Sequence, residues 1–155
     1  MARGPADVPS ETDRYEDAPH PRETLTLIGH QEAEQALLEA YRAGRLPQAI
    51  IIGGQEGIGK ATLAWRLARF VLAFPDPASA EVQKATNLDV PADHPVAHRL
   101  NALSHPDVFL LRREWNEKTK RFFTEIRAQD VRQAIHLFQQ AAGAGGYRVA
   151  LVDSA

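Results

Sequence analysis

The chain has 155 residues, 44% of them hydrophobic, which is enough for one globular domain with a buried core. Its 18 basic and 20 acidic residues leave a net charge of −2, so no global basic field argues for a nucleic-acid surface. No cysteine is present, which excludes disulfides and thiolate zinc sites and fits a reducing compartment. No apolar stretch reaches the length of a membrane span or a signal-peptide core, so the expectation is a cytoplasmic chain with no membrane partner.

Residues 1–22 are dominated by Pro, Asp, Glu, Arg and Ala, with Val8 and Tyr15 the only sizeable apolar side chains after the starting Met. Such a segment buries too little to offset its ordering entropy, so a disordered tail is predicted, with the folded domain occupying 23–155. A short apolar segment, 24–28, leads to Gly29-His30. A helix is predicted from Gln31, with Ala33, Ala36, Leu37, Ala40 and Tyr41 on one face and Gly44 as its stop. Two readings stand for that helix: part of a base pocket, or simple packing against a sheet.

Pro47 then breaks the chain before residues 49–52, an apolar run rich in β-branched residues that reads as a buried strand. From Lys60 the pattern is helical, with Leu63, Leu67, Phe70, Val71 and Phe74 at three- and four-residue spacing. Between them, Gly54-Gln55-Glu56-Gly57-Ile58-Gly59-Lys60 fits the phosphate-binding pattern G-x-x-x-x-G-K in the required strand–loop–helix context. Glycines let the backbone turn tightly, the helix N-terminus supplies donors and a positive dipole end, and Lys60 adds a full charge. The candidate binding residues are these seven with Ala61 and Thr62. After Gly-Lys the pattern calls for a hydroxyl that ligates Mg²⁺, and Ala61 has none. Thr62 lies about 100° further round the helix. Weak ATP binding is therefore expected, with Mg²⁺ poorly held.

Residues 76–104 are mostly polar and read as an insertion with one short helix near 96–103. His94 and His98 are four apart, but Pro95 follows the first and no third ligand is evident, so no zinc is expected. A second core strand is predicted at 108–111, pairing with 122–126 as a hairpin across a turn at 116–119. The local cluster of Arg112, Arg113, Lys118, Lys120, Arg121 and Arg127 is diluted by Glu114, Glu117 and Glu125, so a solvated hairpin outweighs a nucleic-acid patch. Residues 129–142 are amphipathic, with Val131, Ile135, Phe138 and Ala142 in one stripe, and 147–153 form a further buried strand. Strands alternating with helices predict an α/β fold, a parallel sheet with helices on both faces.

Val149-Ala150-Leu151-Val152-Asp153 resembles the second nucleotidase signature, whose Asp holds Mg²⁺ through water. Active ATPases of the AAA+ group carry Glu next, and Ser154 stands there instead. Residues 25–155 as a whole resemble the nucleotide-binding domain of the delta-prime subunit of the bacterial DNA polymerase III clamp loader. The resemblance is carried by Leu27-Ile28-Gly29-His30, Leu46-Pro47-Gln48-Ala49, Gly57 through Ala64, His105-Pro106-Asp107-Val108, Ile126-Arg127 and Gly146 through Ala155. It implies a truncated AAA+ phosphate-loop fold, a site that includes Asp153, and a subunit with no catalytic residue of its own. It also implies other clamp-loader subunits, a sliding clamp and primed DNA as partners in DNA replication. Related subunits often carry a four-cysteine zinc module after the phosphate-loop helix; without cysteine, that module is here either zinc-free or replaced by the 76–104 insertion. The resemblance makes the chain an N-terminal piece whose open sheet edge leaves it marginal alone. Two other classes compete with it: an active phosphate-loop ATPase or kinase, and an unrelated doubly wound enzyme that binds another phosphate compound.

Overall fold

The computed structural model describes residues 11–15, 17–140 and 146–154. The first helix, α1 (Gln31–Arg42), begins after His30 with Glu32 and Glu34 in its first turn, where carboxylates favour the helix dipole. It stops before Gly44, whose φ of +64° only glycine adopts without strain. The buried positions are Glu34, Leu38 and Tyr41, while Ala33 and Ala36 are exposed. The stripe is thus rotated from the predicted one, because the large side chains take the core and Arg66 draws Glu34 inward.

Helix α2 (Lys60–Ala73) buries Leu63, Leu67, Phe70 and Val71 as its spacing predicts, and Trp65, Arg66, Ala68 and Arg69 as well. Burying two arginines requires partners. Arg66 donates to Glu34 (2.9 and 2.5 Å), to Asp89 (2.7 Å) and to the Leu25 carbonyl, and Arg69 donates to the Arg22 carbonyl at 2.5 Å. Covered on nearly every side, α2 is the axis of the fold.

What covers it includes residues 76–104, which form no mere insertion. They contain α3 (Ala80–Lys84), capped by Ser79, and α4 (Pro95–Asn101), near the predicted position. Val82, Leu88 and Val90 join Leu38, Tyr41, Leu63 and Phe70 in one core. Burial of side chains this size contributes about 1.5–3 kcal/mol each, so a few apolar residues in a polar stretch suffice to dock it. His94 caps α4, its Nδ1 accepting the Val96 N–H at 3.2 Å, and its ring lies 6.0 Å from that of Phe74. His98 is exposed.

Strand β1 (Val108–Leu111) is followed by β2 (Trp115–Asn116), β3 (Arg121–Phe122), helix α5 (Ala128–Gln139) and β4 (Val149–Val152). β1 pairs with β4 in parallel, Val108 opposite Val149 and Leu111 opposite Val152, with α5 in the crossover. The predicted hairpin of β1 is corrected: β2 pairs with β3 antiparallel, closed by Asn116, whose side-chain oxygen accepts the N–H groups of Lys118 and Thr119. A ring contact of 5.1 Å between Trp115 and Phe122 holds this ribbon. The architecture is mixed α/β, with α2 packed toward β4 and α5 toward β1.

Three further expectations change. Residues 49–52 join no ladder among the described residues, and Ile51 is 97% exposed. A strand is defined by pairing, and neither β1 nor β4 offers it their hydrogen bonds. On α5 the buried residues are Asp130 and Ala134, while Val131, Ile135 and Phe138 are exposed; Ala142 lies outside the described residues. Arg127, the N-cap of α5, binds both Asp130 carboxylate oxygens at 3.0 Å and so satisfies that buried carboxylate from within the helix. Finally, the predicted tail is packed from Glu11 onward, residue 16 aside, with His20 wholly buried. Residues 1–10 lie outside the described part. Ion pairs rather than apolar burial hold this segment, which is why composition did not reveal it.

Candidate phosphate-binding loop

The loop preceding α2 turns at Gly54, Gly57 and Gly59, whose φ angles are +152°, +76° and +106°. Gly59 is the N-cap of α2, and a Cβ there would sit 3.0 Å from Leu27 Cδ1. Its conformation strains any residue with a side chain, and a Cβ would crowd Leu27 as well. No side chain caps α2, and no carboxylate lies in its first turn. The N–H groups of that turn thus have no side-chain partner at the positive end of the helix dipole. This donor set suits a phosphate.

Lys60, at the first position of α2, donates from Nζ to the carbonyls of Gly54 (2.9 Å) and Gln55 (2.6 Å). Its charge is folded back across the loop. Glu56 Oε1 accepts the Tyr15 hydroxyl at 3.1 Å, and Ile58 is pinned through its carbonyl by His30 Nε2 at 2.7 Å. A carbonyl only accepts, so His30 presents Nε2–H there. His30 is also the N-cap of α1, and Gly29, His30, Gln31, Glu32 and Ala33 line a cleft of about 310 Å³ beside the loop.

The metal side is built differently. Ala61 and Thr62 are half-buried in the first turn of α2, and Ala61 brings no oxygen. Asp153 follows β4; its N–H bonds the Leu111 carbonyl at 2.9 Å and its carboxylate accepts the Ser154 N–H at 2.8 Å. Burial pushes the Asp153 carboxyl above its ordinary value and the charge of Asp13 adds to this, while the Ser154 N–H, His20 and Lys60 pull it down. Ser154 holds a φ of +50°, a strained turn for a residue with a side chain. With one protein oxygen missing and no base beside Asp153, this donor set does not suit a tightly held Mg²⁺.

All ten predicted residues thus lie along the loop, the first turn of α2 and the end of β4. Sequence reasoning missed Tyr15 as a partner of the loop, and His30 as its support. Tyr15 was the one aromatic residue in a charged segment, and His30 stood in the Leu27–His30 block without a role. The basic cluster is largely neutralised: Arg112 pairs with Glu11 and Asp13, Lys120 with Glu117, and Arg127 with Glu114 and Asp130. Arg113 donates to the Ser154 carbonyl at 2.8 Å.

An α/β domain with a parallel β1–β4 pair, a glycine loop at the start of α2 and a strand-end Asp153 is of the AAA+ type. The chain belongs to the family described as DNA polymerase III, delta subunit, whose sequence profile matches residues 29–155. That family carries with it a role in the DNA polymerase III complex alongside other subunits. No match was found among curated proteins or among solved structures. Among the described residues, no helix is long and apolar enough to cross a membrane.

Proposed function

We propose that the chain is a clamp-loader subunit of the delta-prime kind, which helps to load the sliding clamp onto primed DNA in the cytoplasm and is itself a poor or inactive ATPase. The observation that carries this reading is the division of the site. The phosphate side is complete: three turning glycines, uncapped donors at the start of α2, and Lys60. The metal and water side lacks a hydroxyl at Ala61 and a carboxylate at Ser154. Such a site holds a nucleotide weakly and without need of Mg²⁺, and leaves turnover to sister subunits. Zinc has no part in this reading.

Steady-state hydrolysis tests it directly. Loss of a metal ligand or a general base lowers rates by about two to four orders of magnitude, so ATP turnover by the isolated chain is expected at background. Turnover well above background that disappears in Lys60→Ala would instead make the chain an active phosphate-loop ATPase.

A further inference from the structure

We propose that residues 11–15 and 17–22 form a self-inhibitory strap, which holds the phosphate loop closed through Tyr15 and must yield before a nucleotide phosphate enters. The proposal rests on the phosphate-binding reading above and adds a regulatory element to that site. Its contact with the loop is direct. The Tyr15 hydroxyl donates to Glu56 at 3.1 Å, and a side-chain carbon on Gly57 would begin 3.5 Å from that same hydroxyl. Tyr15 therefore lies against the turning glycine and fixes a carboxylate beside the loop, where negative charge opposes an incoming phosphate. Lys60 is turned onto the loop carbonyls in the same state.

The body of the strap is fastened far more firmly than this tip. Thr12 Oγ1 donates to the Arg113 carbonyl, and Ser154 Oγ donates to the Thr12 carbonyl, both at 3.1 Å. Arg112 reaches Asp13 at 2.6 Å and Glu11 at 2.8 Å. Asp13 lies 2.9 Å from His20, whose ring meets the buried Trp65 edge-on at 6.1 Å. The strap thus bridges the end of β4 and the flank of α2, the two elements that carry Asp153 and Lys60. Glu11, Asp13 and His20 lie close enough together to suggest a cation site. However, Arg112 and Arg22 already supply the positive charge there, Arg22 at 2.8 Å from Glu11. The cluster is an ionic latch, whereas the Tyr15 side chain, 56% exposed, is held by a single hydrogen bond, to Glu56.

A closed state lowers apparent affinity by the fraction of molecules that are open, so removing the tip strengthens binding without adding a contact. The test titrates the whole chain with inorganic pyrophosphate by calorimetry, in wild type, Tyr15→Ala, Tyr15→Phe and Lys60→Ala. Hydrogen exchange of residues 54–60 is followed in the same proteins without ligand. The expected result is roughly three- to tenfold tighter binding in Tyr15→Ala, a smaller gain in Tyr15→Phe, and loss in Lys60→Ala, with faster loop exchange in both Tyr15 variants. Equal or weaker binding in Tyr15→Ala would overturn the strap while leaving the phosphate site standing. No binding in any variant, with exchange still quickened, would instead sink the phosphate reading and keep the strap contact.

Discussion

Ala61 is the residue on which the chemistry turns. A methyl group stands where a metal-ligating hydroxyl is called for. Ala61→Thr is expected to strengthen ATP binding only when Mg²⁺ is supplied, by roughly tenfold, while hydrolysis stays at background because Ser154 is unchanged. Titrations of both proteins with Mg²⁺ and with a chelator decide this. Tight, Mg²⁺-dependent binding by the wild type would mean that another residue holds the metal. Glu34 is the comparable residue for stability. It accepts two bonds from Arg66 and one from the Leu88 N–H at 3.3 Å, all in a buried setting. Glu34→Ala removes the buried partner of the Arg66 guanidinium, leaving it Asp89 and the Leu25 carbonyl, and should lower stability by about 3 kcal/mol. Asp89, 63% exposed, is the outer partner of the same arginine, and Asp89→Asn should lower stability by less than about 1 kcal/mol. Urea unfolding of the two variants gives the comparison.

Among the elements, the segment between α2 and β1 departs most from its sequence appearance. Its polar composition hides Val82 and Leu88, both of which are essentially inaccessible in the core. Leu88→Ala should therefore cost about 2–4 kcal/mol in urea unfolding, as a core truncation does. A peripheral insertion would lose under about 1 kcal/mol, so a small effect would restore the original reading. The converse holds for α5, whose apolar stripe is plain in the sequence but faces outward. Periodicity identifies a helix and a stripe, yet the direction of that stripe depends on the neighbours it packs against. Residues 49–52 teach the same lesson: β-branched residues suit a strand, but pairing partners make one.

For the molecule as a whole, the strap ties its two halves together through charge, and this makes its attachment sensitive to acid. Burial alone would raise Asp13, but the bond and charge of His20 and those of Arg112 outweigh it and hold the carboxyl at about 2. Glu11 is likewise brought down to about 2, its burial outweighed by Arg22 and Arg112. Both values lie below those of the free side chains, so the stabilisation is present above about pH 4.5 and is lost as pH falls toward 2. Asp153 acts in the opposite sense, since a raised carboxyl loses stability as pH rises past its ordinary value of 3.8. The net expectation is a progressive release of the strap as pH falls from about 4.5 toward 2, seen as a change in the fluorescence of Trp65, which lies against His20, and flattened in Asp13→Asn. An unchanged acid profile in that variant would mean that the ion pairs do not hold the strap.

The sequence alone determined whatever depends on neighbours along the chain: the glycine loop before α2, the helical spans, the strand ending at Asp153, the missing hydroxyl and the missing base. These are legible because turns, caps and periodicity are set by a few consecutive residues. The tertiary structure decided which faces are buried, which segments pair, and that a charged N-terminal stretch folds back over the loop. Those outcomes rest on ion pairs and packing between residues far apart in sequence, such as Asp13 with Arg112 and Glu34 with Arg66, and no local pattern encodes such a meeting.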